Sequence, residues 1–252
     1  MTAAPKWYRD YLYAIGAHVA FLLVWQLAVM IGDVPKFILP TPIDTFATFF
    51  DGTYNWGKHL WATTFAVVAG YVLAVVLGLV LSVLFVWAPG AYPALMPLLV
   101  TLNMVPKVAM APLLILWLGY GMLPNVVIGF IISFFPVLLT TYRGLLEVEP
   151  DLLNLVKSLK GSRWQLFYKI QLPGSLPYLF SGMKVASILA VAGVIVGEFI
   201  ASDVGLGYFL LVQQNMLNTP AMMMSLILIT GLGMVLYGIV LALEYVMVGR
   251  KE

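Results

Sequence analysis

The chain has 252 residues, 62% of them apolar and only 10% charged, with a formal net charge of +2. A mean hydropathy of +1.00 is far above what a soluble domain of this length needs to fill its core, so a soluble globular protein is excluded. The small net charge offers nothing to nucleic acid, and with no cysteine a disulfide framework, a thiolate zinc site and an iron–sulfur cluster are excluded too.

The N-terminal text "MTAAPKWYRDYLYAIG" leads into an apolar run longer than a signal-peptide core and lacks a small-residue cleavage site. The first span is therefore expected to stay as an anchor. Six apolar segments can be drawn, at about Tyr13–Ile31, Leu60–Trp87, Pro93–Leu118, Leu123–Tyr142, Leu176–Ile200 and Ala221–Val248. From Leu60 to Pro106 there is no Asp, Glu, Lys or Arg, and a helix needs roughly 20 apolar residues to cross a bilayer. Run length favours helices over barrel strands, which would alternate polar and apolar residues. The expected fold is an all-α integral membrane protein of about six transmembrane helices, forming one domain over 1–252 with its core at 60–248. Pro93, Pro97, Pro106 and Pro112 predict that the third span is kinked or broken in two. Between the first two spans, Val34–His59 is too polar to cross and reads as an interfacial helix.

Basic residues orient the spans. Lys6 and Arg9, the stretch Arg143–Lys169, and Arg250 with Lys251 fall in one set of connections and contain nine of the thirteen Lys and Arg. The alternate set holds only Lys36 and Lys58, with Asp33, Asp44, Asp51 and Asp203. Both termini and the 143–173 loop between spans four and five are thus expected in the cytoplasm.

That loop has its own pattern. Leu152, Leu155, Val156 and Leu159 fall on one face of a helix that begins near Asp151, Gly161 is a natural stop, and Ser162 with Gln165 forms a capping box. A second short helix carries Trp164, Phe167 and Ile170 and is expected to end at Pro173. Lys157, Lys160, Arg163 and Lys169 spread along both. Two readings fit: helices lying on inner-leaflet phosphates, or a knob that docks in a groove on a cytoplasmic partner.

The text "LLNLVKSLKGSRWQLFYKIQLPGSLPYLFSGMKVA" resembles the EAA loop of permease subunits of binding-protein-dependent ABC importers. Ile170, Leu172, Pro173, Pro177 and Gly182 match that pattern. Asn154, Leu155 and Val156 stand in place of E-A-A, and Lys160 stands where the family has Gly, with Gly161 one place later. "FILPTP", "VPKVAMAPLLILWLGYG" and "VGEFIASDVGLGYFL" extend the resemblance to the branch for taurine, alkanesulfonates, nitrate, riboflavin and thiamine-precursor pyrimidines. The resemblance implies an inner-membrane homodimer around a solute path, an ATPase subunit in two copies docked on loop 143–173, and an external solute-binding protein. The final "GEFIASDVGLGYFLLV" text is most similar to riboflavin and pyrimidine permeases, with a sulfonate-, taurine- or nitrate-type anion as the alternative. A secondary transporter or channel that needs no ATPase is the rival from another class.

ATP chemistry is not expected on this chain. The nearest P-loop-like text, "GTYNWGKH", ends in His59 where the Mg²⁺-binding hydroxyl belongs. ATP and Mg²⁺ therefore belong to the partner ATPase, no cofactor or metal is expected here, and His18 and His59 are read as structural.

Ionisable groups within spans are functional candidates by default. Lys107, after Pro106, is expected either to face the solute path or to pair with Glu198 or with freed carbonyls. Glu198 reads equally as a gate or interhelical contact and as a solute contact; Asn103 and Lys184 are weaker path candidates. Glu244 is expected to snorkel toward the cytoplasm, and reaching the inner headgroups is the alternative to a path role for Lys184. Gly205, Gly207 and Tyr208 suggest a tight outer turn that contributes to a gate. Gly182, Ala186, Ala190, Gly193 and Gly197 form a small-residue stripe, expected to be a seam between two copies rather than intrachain packing.

Overall fold

A computed structural model describes residues 6–249 of the chain, with side chains for all of these except 6–11, 14, 150 and 157. Arg250 and Lys251, and the side chains of Lys6, Arg9 and Lys157, lie outside the described residues. Helices dominate: α1 (Lys6–Ile31), α2 (Pro42–Ala47), α3 (Trp56–Trp87), α4 (Ala91–Met104), α5 (Lys107–Leu118), α6 (Met122–Leu146), α7 (Pro150–Ser158), α8 (Arg163–Leu166), α9 (Leu172–Ala201), α10 (Leu206–Asn215) and α11 (Thr219–Val248). There is no strand among the described residues. In hydrocarbon every backbone N–H and C=O must find its partner within the protein, which helices achieve within one segment.

Among the described residues, four helical stretches are long and apolar enough to cross a membrane: Trp56–Trp87, Met122–Leu146, Arg163–Ala201 and Thr219–Val248. Helices α4 and α5 make a fifth if taken as one broken span, bent by 96°. The break falls at Val105–Pro106 because Pro106 has no N–H to continue the ladder and holds the residue before it extended. The apolar part of α1, Ile15–Ile31, is shorter.

The chain forms two compact units. One comprises residues 1–56 and 209–227. Within it Trp56 packs 4.6 Å from the Phe209 ring and donates to Thr48 O, and Thr219 donates to Phe37 O. Thr41 caps α2 by accepting from Asp44 N, and a bridge of 2.7 Å joins Asp44 to Lys36.

The other unit comprises residues 57–208 and 228–252. Its core is a three-helix arrangement of α3, α6 and α9, completed by Leu236 and Val240 of α11; Val67, Val137, Ala186, Ala190 and Val194 are fully buried there. Close approach replaces side-chain bulk. A β-carbon at Gly70 of α3 would lie 2.8 Å from Val126 O, and one at Gly193 of α9 would lie 3.0 Å from Gly129 Cα. Ser82 Oγ donates to Leu138 O at 2.9 Å, adding a polar tie between α3 and α6.

The small-residue stripe has a different role from the one expected. Gly182, Ala186, Ala190, Gly193 and Gly197 are all buried within the chain. Gly182 meets Thr140 and Val137, Gly193 meets Ile128 and Gly129, and Gly197 meets Asn125, all on α6. The stripe is an α6–α9 seam rather than a dimer seam, because α6 supplies the matching glycine and carbonyls at that height. The α9 residues Ile188, Ala192 and Ile195 instead line an open apolar groove of about 800 Å³ with Gly233 and Tyr237 of α11.

Candidate functional site

The connection between α6 and α9 folds into the cornered pair that the spacing predicts, with two corrections. Helix α7 opens with Asp151 in its first turn. Its Leu152 and Leu155, and Leu159 just past its end, are exposed among the described residues. The left-handed residue that ends the helix is Lys160, with φ +52°, and not Gly161. Lys160 thus takes the conformation that a glycine holds most cheaply. Gly161 is needed for a different reason: its N–H donates to Val156 O at 2.8 Å. A β-carbon there would sit 2.7 Å from Val156 Cγ1.

Beyond the corner, the capping box forms in full: Ser162 Oγ accepts from Gln165 N at 3.2 Å, and Ser162 N donates to Gln165 Oε1 at 2.8 Å. The second correction is that Pro173 does not end this helix. Arg163–Ala201 runs on as one apolar helix, through a π-turn at Phe167–Gln171 in which Leu172 N–H reaches back to Phe167 O. That wider turn shifts the hydrogen-bond register just ahead of Pro173, whose missing N–H is then tolerated. Leu172 and Pro173 therefore begin α9 proper, and the loop runs on into a span through the π-turn.

The loop is also tied to the end of α3. Arg163 Nη2 donates to Val86 O at 3.3 Å, and its guanidinium lies 5.7 Å from the Trp87 ring centre. Trp87 packs in turn on Trp164 at 5.7 Å and on buried Phe167 at 5.5 Å. An arginine on the last carbonyls of a helix meets the negative end of its dipole. Ile170 joins Val156, Leu159, Gly161, Gln165 and Lys169 around a notch of about 230 Å³ in the corner. Nothing in the sequence pairs Trp87 with Arg163, which are far apart in the chain.

The ionisable groups within the spans settle into pairs. Lys107 Nζ bonds both the carbonyl and the side-chain oxygen of Asn103. Val105 and Pro106 separate the two helices, so Asn103 O, in the last turn of α4, is one of the carbonyls freed by the break. Of the pairings open to Lys107, the freed carbonyl is the one formed. Lys184 Nζ meets Glu244 at 2.9 Å, each side chain about one quarter exposed. The two charges expected to act separately thus form an ion pair.

At the opposite end of α9 from the loop lies a dense polar knot. Glu198 is 1% exposed; it accepts from Thr63 Oγ1 at 2.7 Å and from Gly207 N at 2.7 Å. Thr63 Oγ1 in turn accepts from Leu206 N at 2.8 Å. His59 Nδ1 lies within 3.2 Å of both Gly205 N and Gly205 O, and its ring stacks on Tyr208. Gly205 has φ +126° and a β-carbon there would collide with the Glu198 carboxylate, so both geometry and space demand glycine. The expected turn is confined to 202–205 and ends at Gly205; Gly207 and Tyr208 lie in the first turn of α10, and His59 and Thr63 clasp this junction to α3. Thr63 escaped sequence reasoning; its one visible signal is a hydroxyl inside a long apolar run.

The structure thus brings Asn103 together with Lys107, and Glu198 together with Gly205 and Gly207, while Tyr208 stacks on His59. The loop residues form a third, separate group.

The pattern extends to known proteins. Residues 74–251 match the family model described as binding-protein-dependent transport system inner membrane component. The chain is 32% identical over 241 residues to a riboflavin transport system permease protein of Chloroflexus aurantiacus, covering 93% of this chain and 90% of the relative. It is 31% identical over 233 residues to a formylaminopyrimidine transport permease protein of Halalkalibacterium halodurans, covering 92% of each. Among solved structures, the inward-facing MetNI methionine ABC transporter shares the fold, with a TM-score of 0.62 and 20% identity over 75% of this chain and 94% of that one. The chain therefore belongs to the family of binding-protein-dependent transport system inner membrane components, the multi-pass permeases of ABC importers.

Proposed function

We propose that the chain is the translocating subunit of an ATP-driven importer, in which two copies enclose a path and each loop 143–173 docks one copy of a separate ATPase. ATP and Mg²⁺ act on that ATPase, and an external binding protein delivers the solute. The observation that carries this reading is the exposed apolar face of α7, with Leu152, Leu155 and Leu159 uncovered on a corner built by Lys160, Gly161 and the capping box. An amphipathic helix held at a fixed angle suits a groove on a partner protein. Asp151, Lys157, Lys160, Arg163 and Trp164 supply its polar and aromatic rim.

The distribution of Lys and Arg supports a cytoplasmic loop and cytoplasmic termini, with α1 as a sixth span. Because the small-residue stripe is spent on α6, the second copy is proposed to meet the chain elsewhere, and the open α9–α11 groove supports that face.

A small, flat organic solute of the riboflavin or pyrimidine type is the preferred cargo, by similarity to the relatives named for those compounds. Engagement of Lys107 by Asn103 weakens the case for an anion, and Asn103, Lys107 and the Glu198–Gly205–Gly207–Tyr208 turn are proposed as path and gate residues. The test is co-expression with candidate ATPase and binding-protein subunits. The chain should co-purify with the ATPase, and binding protein loaded with the right solute from a panel of riboflavin, pyrimidines, sulfonates and nitrate should stimulate hydrolysis. Transport by the purified chain alone, without any ATPase, would sink the reading.

A further inference from the structure

Helix α3 is gripped at both ends. At one end Trp87 holds Arg163, Trp164 and Phe167 of the loop, and Val86 O accepts from Arg163. At the other, Thr63 bonds Glu198 and Leu206 N, and His59 bonds Gly205. Thr63 and Trp87 are separated by about 36 Å of unbroken helix at 1.5 Å per residue. The other helices are less regular: α4 and α5 bend by 96° at their break, and α9 follows a π-turn and carries an internal proline, Pro177. Helix α3 has neither a break nor an internal proline. It is seated closely on α6 at Gly70 and Ser82.

We propose that α3 is the rod that carries movement of loop 143–173 to the clasped turn 202–208, with Trp87 as the positioning residue at the driven end and Thr63 at the responding end. This rests on the reading of the loop as the ATPase-docking element. A rod can transmit only if both ends are attached and the responding end has two arrangements. The clasp supplies the second condition: it is a set of hydrogen bonds around one buried carboxylate, and parting Thr63 from Glu198 releases the turn.

The chain has no cysteine, so a single Asp203→Cys placed in the exposed turn reports on the clasp. In liposomes with the co-expressed ATPase and binding protein, an impermeant maleimide should label the introduced thiol at least 5-fold faster with ATP and vanadate than without nucleotide. Added to that reporter, Trp87→Leu, which keeps an apolar contact but loses the aromatic face, should retain the ATPase yet lose this nucleotide response, staying at the slow rate. Trp87→Phe should restore it. Thr63→Val, isosteric and remote from the loop, should give the fast rate with or without ATP. Opposite outcomes at the two ends are not what general loosening produces. A normal nucleotide response with Trp87→Leu, loss of the ATPase from that variant, or no response in the Asp203→Cys reporter itself would overturn the proposal. Failure of the reporter protein to bind the ATPase at all would instead overturn the docking reading on which it rests.

Discussion

Lys160 holds a left-handed backbone at the corner of the loop, where its β-carbon crowds the following carbonyl. Replacing it with glycine should relieve about 1 kcal/mol of strain, while Gly161→Ala should cost stability by pressing a methyl on Val156. Limited proteolysis of the loop reads both: Lys160→Gly should be cut more slowly than the parent and Gly161→Ala faster. Equal rates would mean that the corner is not the strained point. Asp44 offers a pH test outside the spans. The Lys36 ammonium and the Thr41 hydroxyl hold its carboxyl below the ordinary value of 3.8. A depressed carboxylate contributes stability above its unfolded value and loses it as pH falls through the folded one. Amide exchange in residues 41–47 should therefore accelerate below about pH 3.8, and Asp44→Asn should remove that acid response. The sequence shows Thr41, Pro42 and Asp44 as a helix start; that Lys36 reaches back to Asp44 is visible only once the chain has turned.

At the level of elements, the α6–α9 seam is the main consequence of the small residues. Gly193→Leu would drive a side chain into Gly129 and Ile128 and should destabilise the fold by about 3 kcal/mol, as overpacking does. The expected result is a lower melting temperature in detergent and poor recovery from the membrane. If the stripe were a contact between copies, the variant would stay folded and merely dissociate, so thermal melting and size-exclusion profiles together decide the matter. Helix-breaker chemistry was legible in detail: Pro106 divides the third span, as the cluster of prolines predicts. Pro173 was misleading because a π-turn, which has no sequence signature of its own, moved the register ahead of it.

For the whole molecule, sidedness is the property that the proposed mechanism most needs. Single cysteines in this cysteine-free chain should separate the faces: Asp51→Cys should react with an impermeant maleimide in intact cells, and Asn154→Cys only after permeabilisation. The reverse pattern would place the loop outside, where no ATPase could reach it. Fold class, helical spans and the position of the loop between two spans follow from the sequence because the bilayer leaves few options to long uncharged runs. The capping box follows because it is local.

What only the tertiary structure decided is partnership. Whether Gly193 faces a second copy or α6, whether Lys107 seeks Glu198 or a carbonyl of Asn103, and whether Glu244 stands alone or meets Lys184 all depend on which helix lies alongside. In an apolar solvent a polar or small residue signals that a neighbour exists but not which one, because the same hydroxyl, carboxylate or glycine fits many neighbours. Trp87 and Arg163 are the extreme case: each is ordinary in its own segment, and they meet only because α9 brings the loop to the end of α3. The sequence determined that this chain crosses membranes and carries a cornered loop; the packing of α3, α6 and α9 determined what that loop holds.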